Sequence, residues 1–294
     1  MVTIGTFDGV HIGHRKILER LIQDGKNLQL QSTLLTFFPH PRMVLQKDSG
    51  IKLLNTISEK SDILDAMGLD CLVVHPFTSE FSRLSATDYV RNILVETLNA
   101  KKVIIGYDHR FGRNRTADIS DLKHFGTVYG FEVEEIPVQE IEEVSVSSTK
   151  IRAALAAGDL ESANAYLGYN YMLQGTVKRG KGLGRTLGFP TANLHLDADY
   201  KLIPASGVYL VKTHVDGITG FGMMNIGVNP TVDGSQLHIE IHIFDMNRDL
   251  YDLPLRVQLL ERLRNEQKFE SLEALKTQLQ QDLNHSRDRL RKYR

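Results

Sequence analysis

Two histidines three residues apart, His11 and His14, close the run Gly5–His14, which reads GTFDGVHIGH. An apolar stretch, Val2 to Ile4, precedes it, and a helically spaced one follows, with Ile17, Leu18, Leu21 and Ile22 on one face. The order predicts strand, tight loop and helix start. A helix N-terminus leaves N–H groups unpaired and presents the positive end of its dipole, so it favours an anion such as phosphate. Gly5 and Gly9 let backbone approach that anion, Gly13 separates the histidines, and Asp8-Gly9 supplies a turn. Gly5, Phe7, Asp8 and Gly9 are the candidate ligand contacts of this loop. On a first helical turn both imidazoles can face one ligand.

A second polar group is Val146-Ser147-Ser148-Thr149-Lys150-Ile151-Arg152. One hydroxyl at a helix start is explained by capping. Three hydroxyls with Lys150 and Arg152 exceed that need, and arginine suits phosphate. Together with Asp108, the residues His11, His14, Ser147, Ser148, Thr149 and Arg152 suit nucleotidyl transfer. There an oxyanion attacks the α-phosphorus of a nucleoside triphosphate and pyrophosphate leaves, which calls for positioning and charge stabilisation rather than a covalent intermediate. Two imidazoles, with no cysteine or paired histidine near in sequence, are too few for zinc.

A third run, Gly180 to Asn193, reads GKGLGRTLGFPTAN and is glycine-rich and basic. Gly182, Gly184 and Arg185 are its candidate phosphate contacts. It misses the usual fingerprints: Gly182 stands where a Walker motif needs Ser or Thr, and Gly182, Gly184 and Gly188 are one residue off the dinucleotide spacing. The plain alternative is a tight turn between strands. Thr191 and Asn193 offer neutral oxygens that can complete a Mg²⁺ shell around phosphates. Glu240 can act as general base toward a substrate hydroxyl, although taken alone it reads as an exposed strand carboxylate.

The elements that must carry these residues follow an alternating pattern up to about residue 168. Strands are expected at Leu30–Phe38 (stopping at Pro39-His40-Pro41), Leu72–His75, Val103–Ile105 and Phe131–Val138. Helices are expected at Ser58–Met67, from Ser85 to Leu98, at Leu122–Tyr129, from about Val146 through Leu155, and from Leu160 to Leu167. Such alternation predicts a parallel sheet with helices on both faces. From Tyr171 the pattern changes to short β-rich runs at Met172–Lys178, Gly207–His214, Gly220–Ile226, Leu237–Phe244 and Arg256–Leu260, which predict a small antiparallel barrel or sandwich. In one of them His238, Glu240 and His242 alternate with Ile239, Ile241 and Ile243, giving a polar and an apolar face. Ser271–Tyr293 reads as an amphipathic helix with Leu272, Leu275, Leu279 and Leu283 as its stripe and a solvated basic end.

The 294 residues can hold one large or two ordinary domains, with 41% hydrophobic residues, enough for proper cores, and a net charge of −1, which gives no basic field for nucleic acid. Cys71 is the single cysteine, so no intramolecular disulfide can form; in its apolar run it is expected to be buried and inert. No apolar run reaches the roughly 18 residues of a membrane helix, no secretory signal is expected before Val2, and the first strand should start almost at Met1. A soluble, cytoplasmic protein with no membrane or nucleic-acid partner is expected, with self-association left open.

Taken together, Gly5–His14, Phe37-Phe38-Pro39-His40-Pro41, Gly106–Gly112 and Ser147–Arg152, then Gly184–Asn193, Asn225-Ile226-Gly227, Asn229-Pro230-Thr231, Glu240-Ile241-His242 and Arg264–Phe269, resemble the bifunctional prokaryotic riboflavin kinase/FMN adenylyltransferase (FAD synthetase) family over nearly the full length. The resemblance implies an α/β plus β architecture. A Rossmann-like nucleotidyltransferase domain with the HxGH motif, residues 1–168, precedes a riboflavin kinase β-barrel domain with a C-terminal helix, residues 171–294. It implies that riboflavin is phosphorylated by ATP to FMN and that FMN is adenylylated to FAD, with ATP and Mg²⁺ required. By position it implies that His11 and His14 stabilise adenylyl transfer, and that Asp108, Ser147, Thr149 and Arg152 line the ATP and flavin sites. Thr191 and Asn193 would hold Mg-ATP, Glu240 would activate the riboflavin 5′-hydroxyl, and Arg264 would lie near the kinase flavin. Three positions depart from the family pattern: Thr6 where Asn is common, His109 where Phe is usual, and Asp252 where Gly is common. Two rival readings are a riboflavin kinase whose upstream domain is degenerate or differently specific, and a flavin-sensing RNA-binding regulator. The near-neutral charge and the lack of interleaved basic and aromatic residues argue against the second.

Overall fold

The computed structural model of the chain describes all residues except 47–49, 108, 138–145, 181, 232–233 and 294, and of residues 183, 229–231 and 234–236 only the backbone. The chain divides into two compact units, Met1–Ser148 and Thr149–Arg294.

The first unit is built on a parallel sheet. Its strands are β1 (Val2–Ile4), β2 (Thr33–Phe38), β3 (Cys71–Pro76), β4 (Lys102–Gly106) and β5 (Glu132–Ile136), in the spatial order β3-β2-β1-β4-β5. Both faces are buried. Val2, Ile4, Leu35, Val103 and Ile105 join one core with Tyr89, Val90, Ile93, Leu94 and Leu122, while Thr3, Leu34 and Ile104, of opposite parity, are no more than 1% exposed. The order runs outward from β1 in both directions, so the loops after β1 and β4 flank the point where crossovers change sides. In open α/β sheets that point is the usual ligand crevice.

Local chemistry explains where the helices begin and end. Helix α1 (Ile12–Leu28) buries Ile17, Leu18, Leu21 and Ile22, as the spacing requires. A short helix α2 (Pro41–Leu45) starts at a proline after β2, with His40 accepting from Arg42 N. Helix α3 (Ile57–Met67) opens with a capping box between Thr56 and Glu59 and closes on Gly68 in the left-handed conformation, φ 84°. The helix expected from Ser85 is a single α-turn, α4 (Ala86–Tyr89), that widens into a π-helical run, Val90–Thr97, which buries Val90, Ile93 and Leu94. Helix α5 (Ile119–Tyr129) begins earlier than its apolar spacing indicates because Asp118 and Asp121 form a capping box. Strand β2 starts three residues later than expected. Ser32, through its N–H and its hydroxyl, is held by the Asp70 carboxylate at 2.8 and 2.6 Å, outside the ladder. The expected strand end at Val138 lies outside the described residues. Cys71, expected to be buried, is half-buried.

In the second unit, α6 (Ser148–Ala157, its first residue closing the first unit) and α7 (Leu160–Leu167) lead into a closed antiparallel barrel. Its strands are β6 (Met172–Lys178), β7 (Ala192–His195), β8 (Gly207–Val215), β9 (Ile218–Thr231), β10 (Gly234–Ile243) and β11 (Pro254–Arg264), ordered β10-β7-β6-β11-β8-β9. Ile239, Ile241 and Ile243 are buried at 3, 0 and 5% exposure, matching the predicted alternation. The glycine-rich run is more than a turn: it contains one helical turn, α8 (Leu183–Thr186), and then enters β7, a strand the sequence pattern did not reveal. Helix α9 (Leu272–Arg289) packs Leu279 and Leu283 against Phe189, Val208 and Met223. Leu272, expected in the same stripe, is 57% exposed in its first turn.

Candidate functional site

The loop between β1 and α1 is held in an unusual shape. Gly5 N–H bonds to Leu35 O at 3.0 Å, and a Cβ on Gly5 would lie 2.8 Å from the Phe7 ring. Phe7 and Val10 have φ of 43° and 37°, a region costly for an aromatic residue and more so for a β-branched one. The expected turn is present, closed by Val10 N–H donating to Phe7 O at 3.1 Å. Strain of this kind persists only where surroundings over-determine it. Here the Asp8 carboxylate accepts from Leu54 N–H at 2.9 Å, the Asp8 carbonyl accepts from the Ser148 hydroxyl at 2.9 Å, and the Thr6 carbonyl accepts from the Thr36 hydroxyl at 3.2 Å and the Lys60 ammonium at 2.6 Å. Asp8 is buried and spent on the loop's shape, which turns a predicted ligand contact inward. Gly9 completes the turn with φ 89°.

The two histidines stack, with ring centroids 3.6 Å apart and an interplanar angle of 16°, and Phe7 lies 4.7 Å from His14. His11 is the N-cap rather than a member of the first turn: its Nδ1 accepts from His14 N–H at 3.3 Å. In the neutral ring its proton therefore sits on Nε2. Burial pushes His11 down to about 4. Burial first, and then the charges of His11 and Lys60, hold His14 well below the ordinary histidine value. Both rings are thus neutral near pH 7 with an N–H to donate, and His14 Nδ1 has no partner among the described residues.

Lys60 was not anticipated. It is 5% exposed, on α3, and burial lowers its ammonium to about 8 while Asp8 opposes the shift. The signal was available: Lys60 falls at helical spacing with Ile63, Leu64 and Met67, on the stripe that faces the core. Of the remaining predictions, Asp108 lies outside the described residues, and Ser147 is exposed just before α6. Thr149, exposed, and Arg152, half-buried, lie on α6 within the second unit. His109 stacks on Phe111 at 6.0 Å.

In the barrel, Glu240 is paired in register with Asn193 of β7 and Asn225 of β9, and Thr191 donates its hydroxyl to Glu240 Oε2 at 3.4 Å. The glycine-rich run wraps this group. A Cβ on Gly180 would fall 2.3 Å from the Asn193 amide, and one on Gly184 would fall 2.3 Å from Phe189 O and 3.3 Å from the Thr191 hydroxyl. Gly182 is exposed with φ 72°, and Arg185 is exposed beside them. The cavity here is lined by Arg185, Thr191, Val177, Ile241 and Tyr251 among others. On the same face His242 meets Pro190 O at 2.8 Å and His238 meets the Asn225 amide at 3.4 Å. The hydroxyl, amide and carboxylate oxygens gathered here are hard donors. They suit Mg²⁺, which binds through one or two carboxylates plus substrate phosphates. Arg264 is engaged elsewhere, its guanidinium paired with Asp282 of α9 at 2.7 Å. Asp252 has φ 61° and pairs with Lys178 at 2.8 Å.

Known proteins show the same two parts. Residues 1–150 match the family model of FAD synthetase, and residues 167–290 match that of riboflavin kinase. A relative from Listeria monocytogenes, named bifunctional riboflavin kinase/FMN adenylyltransferase, is 39% identical over 96% of this chain and 90% of its own length. The protein of the same name from Escherichia coli K12 is 37% identical over 96% of this chain and 90% of its own. A crystal structure described as a macrolide-efflux protein from Streptococcus pneumoniae superposes with a TM-score of 0.87 at 32% identity, covering 97% of this chain and 93% of that one. Among the described residues no helix is long and apolar enough to cross a membrane.

Proposed function

Because the chain belongs to the bifunctional riboflavin kinase/FMN adenylyltransferase family, we propose that the two polar sites divide its two reactions between them. The chain is a riboflavin kinase and an FMN adenylyltransferase, with riboflavin, FMN and ATP as substrates. The observation that carries the division is that the groups proposed to act on the reacting atoms lie in different compact units: Phe7, His11 and His14 in the first, Thr191, Asn193 and Glu240 in the second, although Thr149 and Arg152 of the adenylyltransferase set fall in the second unit.

In the barrel, Glu240 takes the proton of the riboflavin 5′-hydroxyl as that oxygen attacks the γ-phosphorus of ATP; the bond to the β–γ bridging oxygen breaks and ADP leaves. Gly182, Gly184 and Arg185 cradle the phosphates. Thr191 and Asn193 would hold Mg²⁺, which when bound neutralises charge on the transferring phosphate. At the first site an FMN phosphate oxygen attacks the α-phosphorus of ATP and pyrophosphate leaves. The neutral imidazoles of His11 and His14 donate to the oxygens that gain charge. Ser147, Ser148, Thr149, Arg152 and Asp108 keep the ATP- and flavin-binding roles that their motifs imply, and Arg264 acts on the kinase flavin from its pairing with Asp282. A cytoplasmic location fits these substrates.

The test separates the activities. His14→Ala should lower FAD formation from supplied FMN by about a hundredfold or more, the scale for losing one preorganised donor, while riboflavin phosphorylation persists. Glu240→Gln should lower FMN formation by about 10²–10⁴-fold and spare adenylylation of supplied FMN. Equal loss of both activities in either folded variant would refute the division.

A further inference from the structure

The loop that presents His11 and His14 rests on a buried cation. Lys60 Nζ donates to the Thr6 carbonyl at 2.6 Å and lies 3.5 Å from the Thr36 hydroxyl, which itself donates to that carbonyl at 3.2 Å. Two donors therefore pull one loop carbonyl into the core. In a trans peptide the C=O and the next N–H point in opposite directions, so the Phe7 N–H is turned away from Lys60 and out of the core. If that carbonyl pointed outward instead, its lone pairs would meet the phosphate that the loop is built to receive. Keeping it inward costs the burial of an ammonium, and the loop's own conformation costs two left-handed non-glycine residues, Phe7 and Val10. A lysine used only for packing requires neither.

We propose that Lys60 is a positioning residue for adenylyl transfer: it holds the Thr6–Phe7 peptide with its N–H toward the phosphate and places a positive charge near His14. The charge reaches His14, where it helps keep the ring neutral and able to donate. It works among buried groups, where electrostatic effects are less screened. The charged and titratable groups facing Lys60 include Asp8 on the loop, His14 on α1 with His11 stacked on it, and Glu59 next to it on α3. His11 and His14, both held below the ordinary histidine value, stay neutral in the alkaline range, where the lysine changes charge. Its lowered value of about 8 puts that change within reach of assay.

The inference rests on placing adenylyl transfer at the His11–His14 loop, which the His14→Ala variant tests separately. FAD formation from supplied FMN and ATP is measured in the full chain as kcat and kcat/KM across about pH 6.5–9.5, with riboflavin phosphorylation and thermal unfolding recorded on each sample. Lys60→Met should lower kcat for FAD formation by about a hundredfold, the cost expected of misplacing a reacting group by about 1 Å, and leave phosphorylation unchanged. Lys60→Arg keeps the charge and the donors but does not titrate in this range. It should retain at least about a tenth of the wild-type rate, and it should lack the loss of kcat/KM that the wild type shows above about pH 8, since kcat/KM reports the free enzyme. A Lys60→Met rate within about threefold of wild type overturns the proposal, and so does an alkaline loss in Lys60→Arg identical to that of wild type. Should Lys60→Met fail to fold, the pH profile of Lys60→Arg decides. Loss of FAD formation in Lys60→Met with no effect of His14→Ala would instead refute the site placement.

Discussion

Acid should loosen the start of α1 through one proton on His11. The ring is buried, its Nδ1 accepts the His14 N–H, and its folded value is about 4 against an ordinary 6.5. A folded value below the unfolded one means that the unfolded chain binds more protons between the two. Stability then falls as pH falls through about 6.5 and levels off below about 4. With those two values the loss is negligible at about pH 7.5, about 2 kcal/mol at about pH 5 and about 3 kcal/mol below about pH 4. His11→Asn provides the comparison, because asparagine retains a side-chain acceptor at the N-cap and does not titrate. Hydrogen exchange of the α1 amides, corrected for the intrinsic pH dependence, is measured for both proteins from about pH 7.5 to about pH 5. Protection of α1 in the wild type should fall about thirtyfold more than in His11→Asn, the equivalent of about 2 kcal/mol. Equal slopes, or an NMR titration of His11 centred near 6.5, would refute the reasoning.

Two further perturbations address the barrel. Asp282→Ala strips the Arg264 guanidinium of bonds at 2.9, 3.1 and 2.7 Å from a carboxylate that is 4% exposed. Urea unfolding of the kinase unit should show a loss of about 3 kcal/mol, the range for orphaning one member of a buried pair. Gly184→Ala places a methyl 2.3 Å from Phe189 O and against the Thr191 hydroxyl. It should lower FMN formation at least about tenfold and leave adenylylation of supplied FMN intact, which assays with the two flavins separate.

How much of this was legible depended on how local the signal was. The strand–loop–helix around His11 and the alternation of His238 to Ile243 are short-range patterns, and each appears in the structure as read. The one-turn helix Leu183–Thr186 and the four-residue strand Ala192–His195 are too short for any periodicity to register. The inward turn of Asp8 and the pairing of Arg264 with Asp282 depend on partners 46 and 18 residues away, and nothing in the immediate sequence announces them. Lys60 was readable in principle, as a charged residue on an apolar stripe. A lysine at such a position is ordinarily assigned to solvent because its long stem can carry the charge outward, and here a backbone carbonyl waiting in the core reverses that choice.

The ends of the parallel sheet bear on how the molecule avoids its own kind. Among the described residues the barrel closes on itself and leaves no strand unpaired on one side, whereas the parallel sheet has two such strands, β3 and β5. Strand β5 carries Glu132, Glu134 and Glu135 within five residues; Glu134 is paired with Lys102 and Arg20 and Glu135 with Lys123, so the exposed Glu132 is the charge that a second copy laid edge to edge would meet. Strand β3 has less protection: it stops at Pro76, but Val74 is 38% exposed within Leu72-Val73-Val74-His75. Charged substitution at Val74 is therefore the place to improve solubility at high concentration without touching either set of candidate catalytic residues.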